Sequence, residues 1–271
     1  MTGEYLTSLT PEHKKFLEDL FKDGVSFDPK VLRVYASDAS LLTGTVLAMV
    51  RPESTDQLCK FMCWANEQRV AVHPRGRGTS LSGGCVPTVP GIVVSMLGMD
   101  KIIEISKQDF VAVVEPGVNT AQLQAECEKL GMFYPPDPAS GKATSIGGNV
   151  ITCAGGLRAV KYGVTRDYVL GVEAVLPGGQ LMKFGGRTHK DVIGLDLGRL
   201  FVGSEGTLGI VTKLILKLLP KPEASASVLV GYPSLDAALA SMGKVFAAGI
   251  LPCAVEFMNE TVLEILTKTG E

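Results

Sequence analysis

The chain reads as an α+β protein, with a parallel unit first and an antiparallel part second. Three observations carry that reading. Residues 46–97 run strand, helix, strand, glycine-rich loop, strand, an order that builds parallel pairs. Apolar stretches at 170–176, 180–184 and 208–218 lie around turn signals such as Pro177-Gly178-Gly179, which favours antiparallel neighbours. Pro220-Lys221-Pro222-Glu223 then marks a boundary before a new strand–helix–strand–helix series.

The elements follow in order. Thr10-Pro11-Glu12 starts a helix whose apolar face is Phe16, Leu17, Leu20 and Phe21, and Gly24 stops it. A polar connector is expected to about Leu42. Val46–Val50 reads as a strand that Pro52 breaks, and Thr55 is expected to cap a helix carrying Leu58, Phe61, Met62 and Ala65. Val70–His73 and Ile92–Leu97 are the next strands. Phe110–Glu115 alternates as a half-buried strand. Asn119 or Thr120 starts a helix with Leu123, Cys127 and Leu130 on one face, ending at Gly131. Tyr134-Pro135-Pro136-Asp137-Pro138 is too proline-rich for regular structure. Beyond the boundary, Ser227–Tyr232 and Cys253–Met258 read as strands, and Leu235–Ala248 and Glu260–Lys268 as helices.

Composition removes several function classes. The 271 residues carry a net charge of −2 and one Trp, with no Lys/Arg-rich run, so nucleic acid is not an expected partner. No apolar run reaches membrane-spanning length and Met1–Lys15 is polar, so neither a transmembrane segment nor a signal peptide is expected, which favours the cytoplasm. Cys59, Cys63, Cys85, Cys127, Cys153 and Cys253 are scattered without a Cys-x-x-Cys pair and read as buried free thiols. His13, His73 and His189 have no metal-ligand spacing, and no metal site is expected.

The chemistry lies in three glycine-rich segments. Val72–Gly84 places Gly76, Gly78, Gly83 and Gly84 beside Thr79, Ser80 and Ser82, with Arg75 and Arg77 flanking. Successive backbone amides in such a turn form a concave anion site, and the hydroxyls add neutral donors, a combination suited to a diphosphate. The plain alternative is a tight surface loop. Ala143–Gly156 brackets a short apolar run with two Gly-Gly pairs and fits either a flat wall for a planar ring or a strand with glycine at both ends. Val202–Thr212 is a third glycine-rich turn leading into a strand. Two near-matches fail. Gly76-x-Gly78 lacks the third glycine of a dinucleotide fingerprint, where Leu81 stands. Gly141-Lys142-Ala143-Thr144 lacks the upstream glycine of a P-loop, where Pro136 stands.

Taken together, Pro74–Gly84, Pro136–Ser140, Ser145–Asn149, Ala154–Gly163 and Gly203–Ile210 resemble the flavin-binding half of FAD-linked oxidases of the vanillyl-alcohol oxidase superfamily. Within it the chain is most similar to the glycolate oxidase flavin-subunit and D-lactate dehydrogenase type. The resemblance covers about Leu42 to Pro220. It implies a PCMH-type FAD-binding domain of two α+β subdomains over 42–220, after an N-terminal helical segment over 1–41. The start of an incomplete α+β cap domain would then occupy 221–271.

Carried over by position, the resemblance implies that Pro74, Arg75, Gly76, Arg77, Gly78, Thr79, Ser80, Gly83 and Gly84 cradle the FAD pyrophosphate. Pro138, Ala139, Ser140, Ala143, Thr144, Gly147, Gly148 and Asn149 would line its middle and ring. Gly155, Gly163, Glu205, Gly206, Gly209, Ile210 and Val211 would complete the contacts. No histidine lies between Arg75 and Gly84, so FAD is expected to be noncovalent. The implied reaction is oxidation of a small 2-hydroxy acid such as glycolate or D-lactate, with electrons passed on to a partner such as an iron–sulfur subunit. The catalytic base is expected after Glu271, and this piece alone is expected to be inactive. A non-catalytic flavin-binding accessory subunit and a nicotinamide-dependent dehydrogenase are the rival readings.

Overall fold

The computed structural model describes residues 5–269, so the outermost residues of the two terminal segments lie outside it. The first sheet forms as the strand–helix–strand order dictates. Helix α1 (Pro11–Phe21) starts where Thr10 Oγ1 accepts from the His13 amide, and it buries Leu17 and Phe21. Strand β1 (Val25–Ser26) and helix α2 (Pro29–Tyr35) follow, two elements inside the stretch read as a polar connector. Asp28 caps α2 and Pro29 opens it, but α2 buries no residue and so shows no apolar stripe to read.

Strand β2 (Val46–Val50), helix α3 (Thr55–Glu67), β3 (Ala71–Arg75) and β4 (Gly91–Ser95) complete the unit. Ser54, not Thr55, caps α3, because its side chain accepts from the Gln57 amide while Thr55 is already helical. The sheet order is β1-β2-β4-β3. Strands β2, β4 and β3 are parallel, and β1 runs antiparallel to β2. The α3 residues Leu58, Phe61 and Ala65 pack with Val50, Ile92 and Val94 in one core.

The second sheet is antiparallel throughout. Its order is β5-β6-β10-β8-β9, with β5 (Ile102–Ser106), β6 (Val111–Val114), β8 (Val169–Val175), β9 (Leu181–Gly185) and β10 (Ile210–Lys217). Leu214 faces Val114 on one side and Val172 on the other. One sheet face packs on helix α4 (Thr120–Lys129), capped by Asn119, and on α5 (Ile146–Thr152). A core of fully buried Leu123, Ile146, Val150, Leu214 and Leu216 results, each side chain contributing about 2 kcal/mol. Val175 and Ile210 belong to the core under the first sheet, so the two layers meet at the ends of β8 and β10. Short elements fill the connections: β7 (Met132–Phe133), α6 (Ala159–Tyr162), α7 (Gly198–Phe201) and β11 (Leu219–Pro220), which pairs with β7.

Beyond β11 the two expected helices form as α8 (Leu235–Ala247) and α9 (Glu260–Thr269). The expected strands at Ser227–Tyr232 and Cys253–Met258 do not form. A strand exists only through its ladder partner. Neither segment has one among the described residues, and Val228, Leu229 and Phe257 stand exposed. No helix among the described residues is long and apolar enough to cross a membrane.

Candidate functional site

Two parallel strands deliver the site. β3 and β4 end side by side at Arg75 and Ser95. Ligands of such sheets bind beyond the carboxyl ends of the strands. There the first glycine loop leaves β3 and opens a narrow crevice. All three glycine-rich segments reach it. Pro74, Arg75 and Gly76 come from the first, Gly147 and Gly148 from the second, and Gly206, Gly209, Ile210 and Val211 from the third. Ser145 and Ile151, from the second segment, also line it, and so do Met96 and Pro116, which escaped the sequence reading. Met96 and Pro116 each end a strand or turn read as plain structure, and nothing local marks them.

The segments are stitched to one another. Thr79 Oγ1 donates to Thr144 Oγ1 at 3.4 Å, joining the first to the second. The Gly203 and Glu205 amides donate to the carbonyls of Val150 and Ile151 at 3.0 and 2.8 Å, joining the third to α5. Gly206 lies against the Pro74 ring, closing the circle. Glu205, in the left-handed region at φ 53°, brings its carboxylate toward Gly84.

The first loop is the polar wall. Among the described residues, the amides of residues 77–81 donate no hydrogen bond to the protein. Successive free N–H groups are what an anion-binding concavity is built from, although the loop enters the crevice lining itself only through Pro74, Arg75 and Gly76. Ser80 Oγ braces the rest of the turn by accepting from the amides of Ser82 and Gly84. Gly78 holds φ 69°, and a Cβ there would overlap the Arg75 guanidinium. That guanidinium is itself turned inward: Arg75 is 8% exposed and donates to the Ser37 carbonyl at 2.6 Å. Arg77 is exposed.

The second segment is helical and not the strand with glycine at both ends, while Gly147 and Gly148 still line the crevice. Ser145 caps α5, accepting from the Gly148 amide, while the amides of Ile146 and Gly147 donate to the Val118 and Pro116 carbonyls at 2.8 Å. Its helix-start donors are therefore occupied by protein. Thr144 and Asn149 are 4% and 2% exposed. Thr144 Oγ1 donates to Asn149 Oδ1 (3.0 Å) and Asn149 Nδ2 to Thr120 Oγ1 (2.8 Å), a closed network under the loop.

Arg77, Gly78, Thr79, Ser80, Thr144, Asn149 and Glu205 lie outside the crevice lining, and so do the remaining candidates. Pro138, Ala139, Ser140 and Ala143 form a turn in which the Ala143 amide donates to the Ser140 carbonyl. Asp137 beside it pairs with Arg158 at 3.3 Å. Gly155 packs near Val164, and Gly163, at φ 79°, sits over the Asp167 carboxylate. Gly83 and Gly84 end the first loop against Leu42 and Ser80.

Comparison with known proteins places this architecture. Residues 46–185 match the family model described as FAD binding domain, and residues 221–271 match FAD linked oxidases, C-terminal domain. A relative named glycolate oxidase subunit GlcD, from Bacillus subtilis strain 168, is 47% identical over 219 residues, covering 81% of this chain and 47% of its own. A D-lactate dehydrogenase of Anaerostipes hadrus is 37% identical over 97% of this chain and 56% of its own. A solved alkyldihydroxyacetonephosphate synthase superposes with a TM-score of 0.79 at 22% identity, over 91% of this chain and 47% of that one, and shares the fold. The chain spans about half the length of the curated relatives it matches.

Proposed function

The chain belongs to the FAD binding domain family, whose cofactor is FAD, and on that premise we propose that it is the flavin-holding part of an oxidoreductase acting on a 2-hydroxy acid such as glycolate or D-lactate. The observation that carries the reading is the convergence of three glycine-rich segments on one crevice, entered by a loop whose 77–81 amides make no hydrogen bond to the protein among the described residues. The residues fit the group. The free amides of residues 77–81 suit a diphosphate, and the neutral walls of Pro116, Gly147, Ile151 and Ile210 suit a flat apolar ring.

In this reading residues 76–84 hold the diphosphate, and the glycine faces of α5 and the third segment line the rest. Bound FAD supplies a two-electron acceptor for the hydrogen leaving C2 of the hydroxy acid. The chain's own task is to bind and orient, and the buried Thr144–Asn149–Thr120 network fixes the loop from below. No histidine stands in the first loop, which supports noncovalent attachment. We extend the reading to residues 42–220 as the FAD-binding unit, with 1–41 as a helical lead-in and 221–271 as the start of a cap. A cytoplasmic location and an iron–sulfur subunit as electron acceptor complete it. The base that takes the hydroxyl proton is assigned to no residue here.

The test is reconstitution. Purified protein incubated with FAD is expected to stay yellow through gel filtration, with a flavin absorption spectrum. A folded protein that elutes colourless defeats the reading.

A further inference from the structure

Between α2 and β2 the chain folds back on itself as a short strap. Residues 36–44 form it, just before the stretch that matches the FAD binding domain model, which begins at residue 46. A bridge joins Ser37 to Thr43, and the Gly44 amide donates to the Ala36 carbonyl at 2.8 Å. The strap touches the first glycine loop at its start, middle and end. At the start, Arg75 Nη1 donates to the Ser37 carbonyl at 2.6 Å. In the middle, the Ala39 amide donates to the Gly78 carbonyl at 3.2 Å. At the end, Cys85 Sγ donates to Asp38 Oδ2 at 3.7 Å, and a Cβ on Gly83 would meet Leu42 Cδ1 and Ser40 Oγ.

Asp38 is the hub of the strap. Its Oδ1 accepts from the Ser40 amide at 2.9 Å and from the Ser40 hydroxyl, which shapes the turn, while Oδ2 reaches across to Cys85. One carboxylate thus ties the strap's turn to the end of the loop. Leu41, inside that turn, holds φ 67° although its side chain is 89% exposed. A leucine keeps such a backbone only where its surroundings impose it. The loop has little of its own to fix it: it carries Gly76, Gly78, Gly83 and Gly84, and among the described residues the 77–81 amides make no hydrogen bond to the protein. Ordering so glycine-rich a segment costs much conformational entropy, so its shape is set from outside. We infer that Asp38 is a positioning residue for the cofactor, holding the first loop in its binding shape before the ligand arrives. A loop ordered in advance binds more tightly because less freedom is lost on binding. The identity of the ligand rests on the FAD reading above; the ordering of the loop does not.

The experiment measures two things on wild-type, Asp38→Ala, Asp38→Asn and Cys85→Ala proteins: trypsin cleavage of the flavin-free protein, and FAD affinity by fluorescence titration. Arg77 is exposed in the loop, so cleavage after it reports local opening, whereas cleavage after Lys213, inside β10, reports global unfolding. Asp38→Ala is expected to speed cleavage at Arg77 about 10-fold, leave Lys213 unchanged and weaken FAD about 10-fold. Asp38→Asn keeps an acceptor for Ser40 and a polar atom toward Cys85, so both readouts should stay within about 3-fold of wild type. Cys85→Ala removes only the contact to the loop's end and should shift both about 3-fold. Unchanged cleavage at Arg77 in Asp38→Ala, an equal rise at Lys213, an Asn variant as impaired as Ala, or a loosened loop with full FAD affinity overturns the inference. If Asp38→Ala does not fold, Cys85→Ala decides: faster cleavage at Arg77 with weaker FAD supports the inference, and no change in either overturns it. Wild-type protein that binds no FAD defeats the flavin reading instead, and the Arg77 cleavage ratio alone then judges whether Asp38 orders the loop.

Discussion

Two glycine-rich segments that look alike in sequence do opposite things with their backbone. In the first loop the amides of residues 77–81 are free and the turn is irregular. In the second, the amides of Ile146 and Gly147 are tied to Val118 and Pro116, and the glycines sit inside α5. Glycine in the first keeps donors available at an open surface. Glycine in the second lets a helix approach neighbouring backbone. Glycine content therefore marks close approach, and only the fate of the amides tells whether a ligand or the protein itself is approached.

The sharpest way to break this comparison is a pair of substitutions. Gly78→Val places a β-branched residue at φ 69° and into the Arg75 guanidinium. It is expected to cost about 1,000-fold in FAD affinity, ~4 kcal/mol, with the melting transition still cooperative. Gly147→Ala puts a methyl group 2.8 Å from the Pro116 carbonyl oxygen in the core. It is expected to cost about 3 kcal/mol of folding stability by urea denaturation while the folded fraction keeps its FAD affinity. If Gly147→Ala loses FAD without losing stability, the missing side chain serves the crevice and not the approach of α5 to Pro116.

The same contrast explains what could be read in advance. Strands β2, β3 and β4 and helix α3 were legible because apolar periodicity and breakers such as Pro52 coincide with real partners. Strand β5 was missed: Ile102–Ser106 is short and half-exposed. The 227–232 and 253–258 segments carry equally good strand signals and form none, because a ladder is a property of two segments and the signal belongs to one. The convergence of three segments was legible from their composition. The inward turn of Arg75 and the occupied amides of α5 were not, since their partners lie far along the chain: Ser37 for Arg75, Val118 for Ile146 and Pro116 for Gly147. An Asp28-Pro29 start signal could have found α2.

A smaller effect tests the support beneath both segments. Asn149 is buried and holds Thr144 and Thr120 at 3.0 and 2.8 Å. Asn149→Ala leaves both hydroxyls short of a partner and is expected to cost about 2 kcal/mol in denaturant titrations. FAD affinity should fall by less than about 10-fold, because Asn149 orders the loop without lining the crevice. A loss as large as that of Gly78→Val would make Asn149 a direct ligand and erase the distinction between the wall and its support.

The smallest effect comes from His73, on the strand that feeds the first loop. Burial holds its pKa below the ordinary 6.5, opposed by the Val89 carbonyl, which accepts from Nε2 at 3.1 Å. The unfolded chain takes up the proton near 6.5 and the folded chain only at lower pH. Between those values the unfolded state binds more protons, so this contribution to stability is full above 6.5 and declines as pH falls through the interval. With the ring partly exposed, the loss stays below about 1 kcal/mol. Denaturation of His73→Gln across pH 5 to 7.5 should show a flatter stability profile than wild type, with FAD affinity at pH 7.5 unchanged. An FAD affinity that drops with the substitution would mean that β3 transmits its packing into the loop, and the free amides would then owe their arrangement to the strand and not to the turn itself.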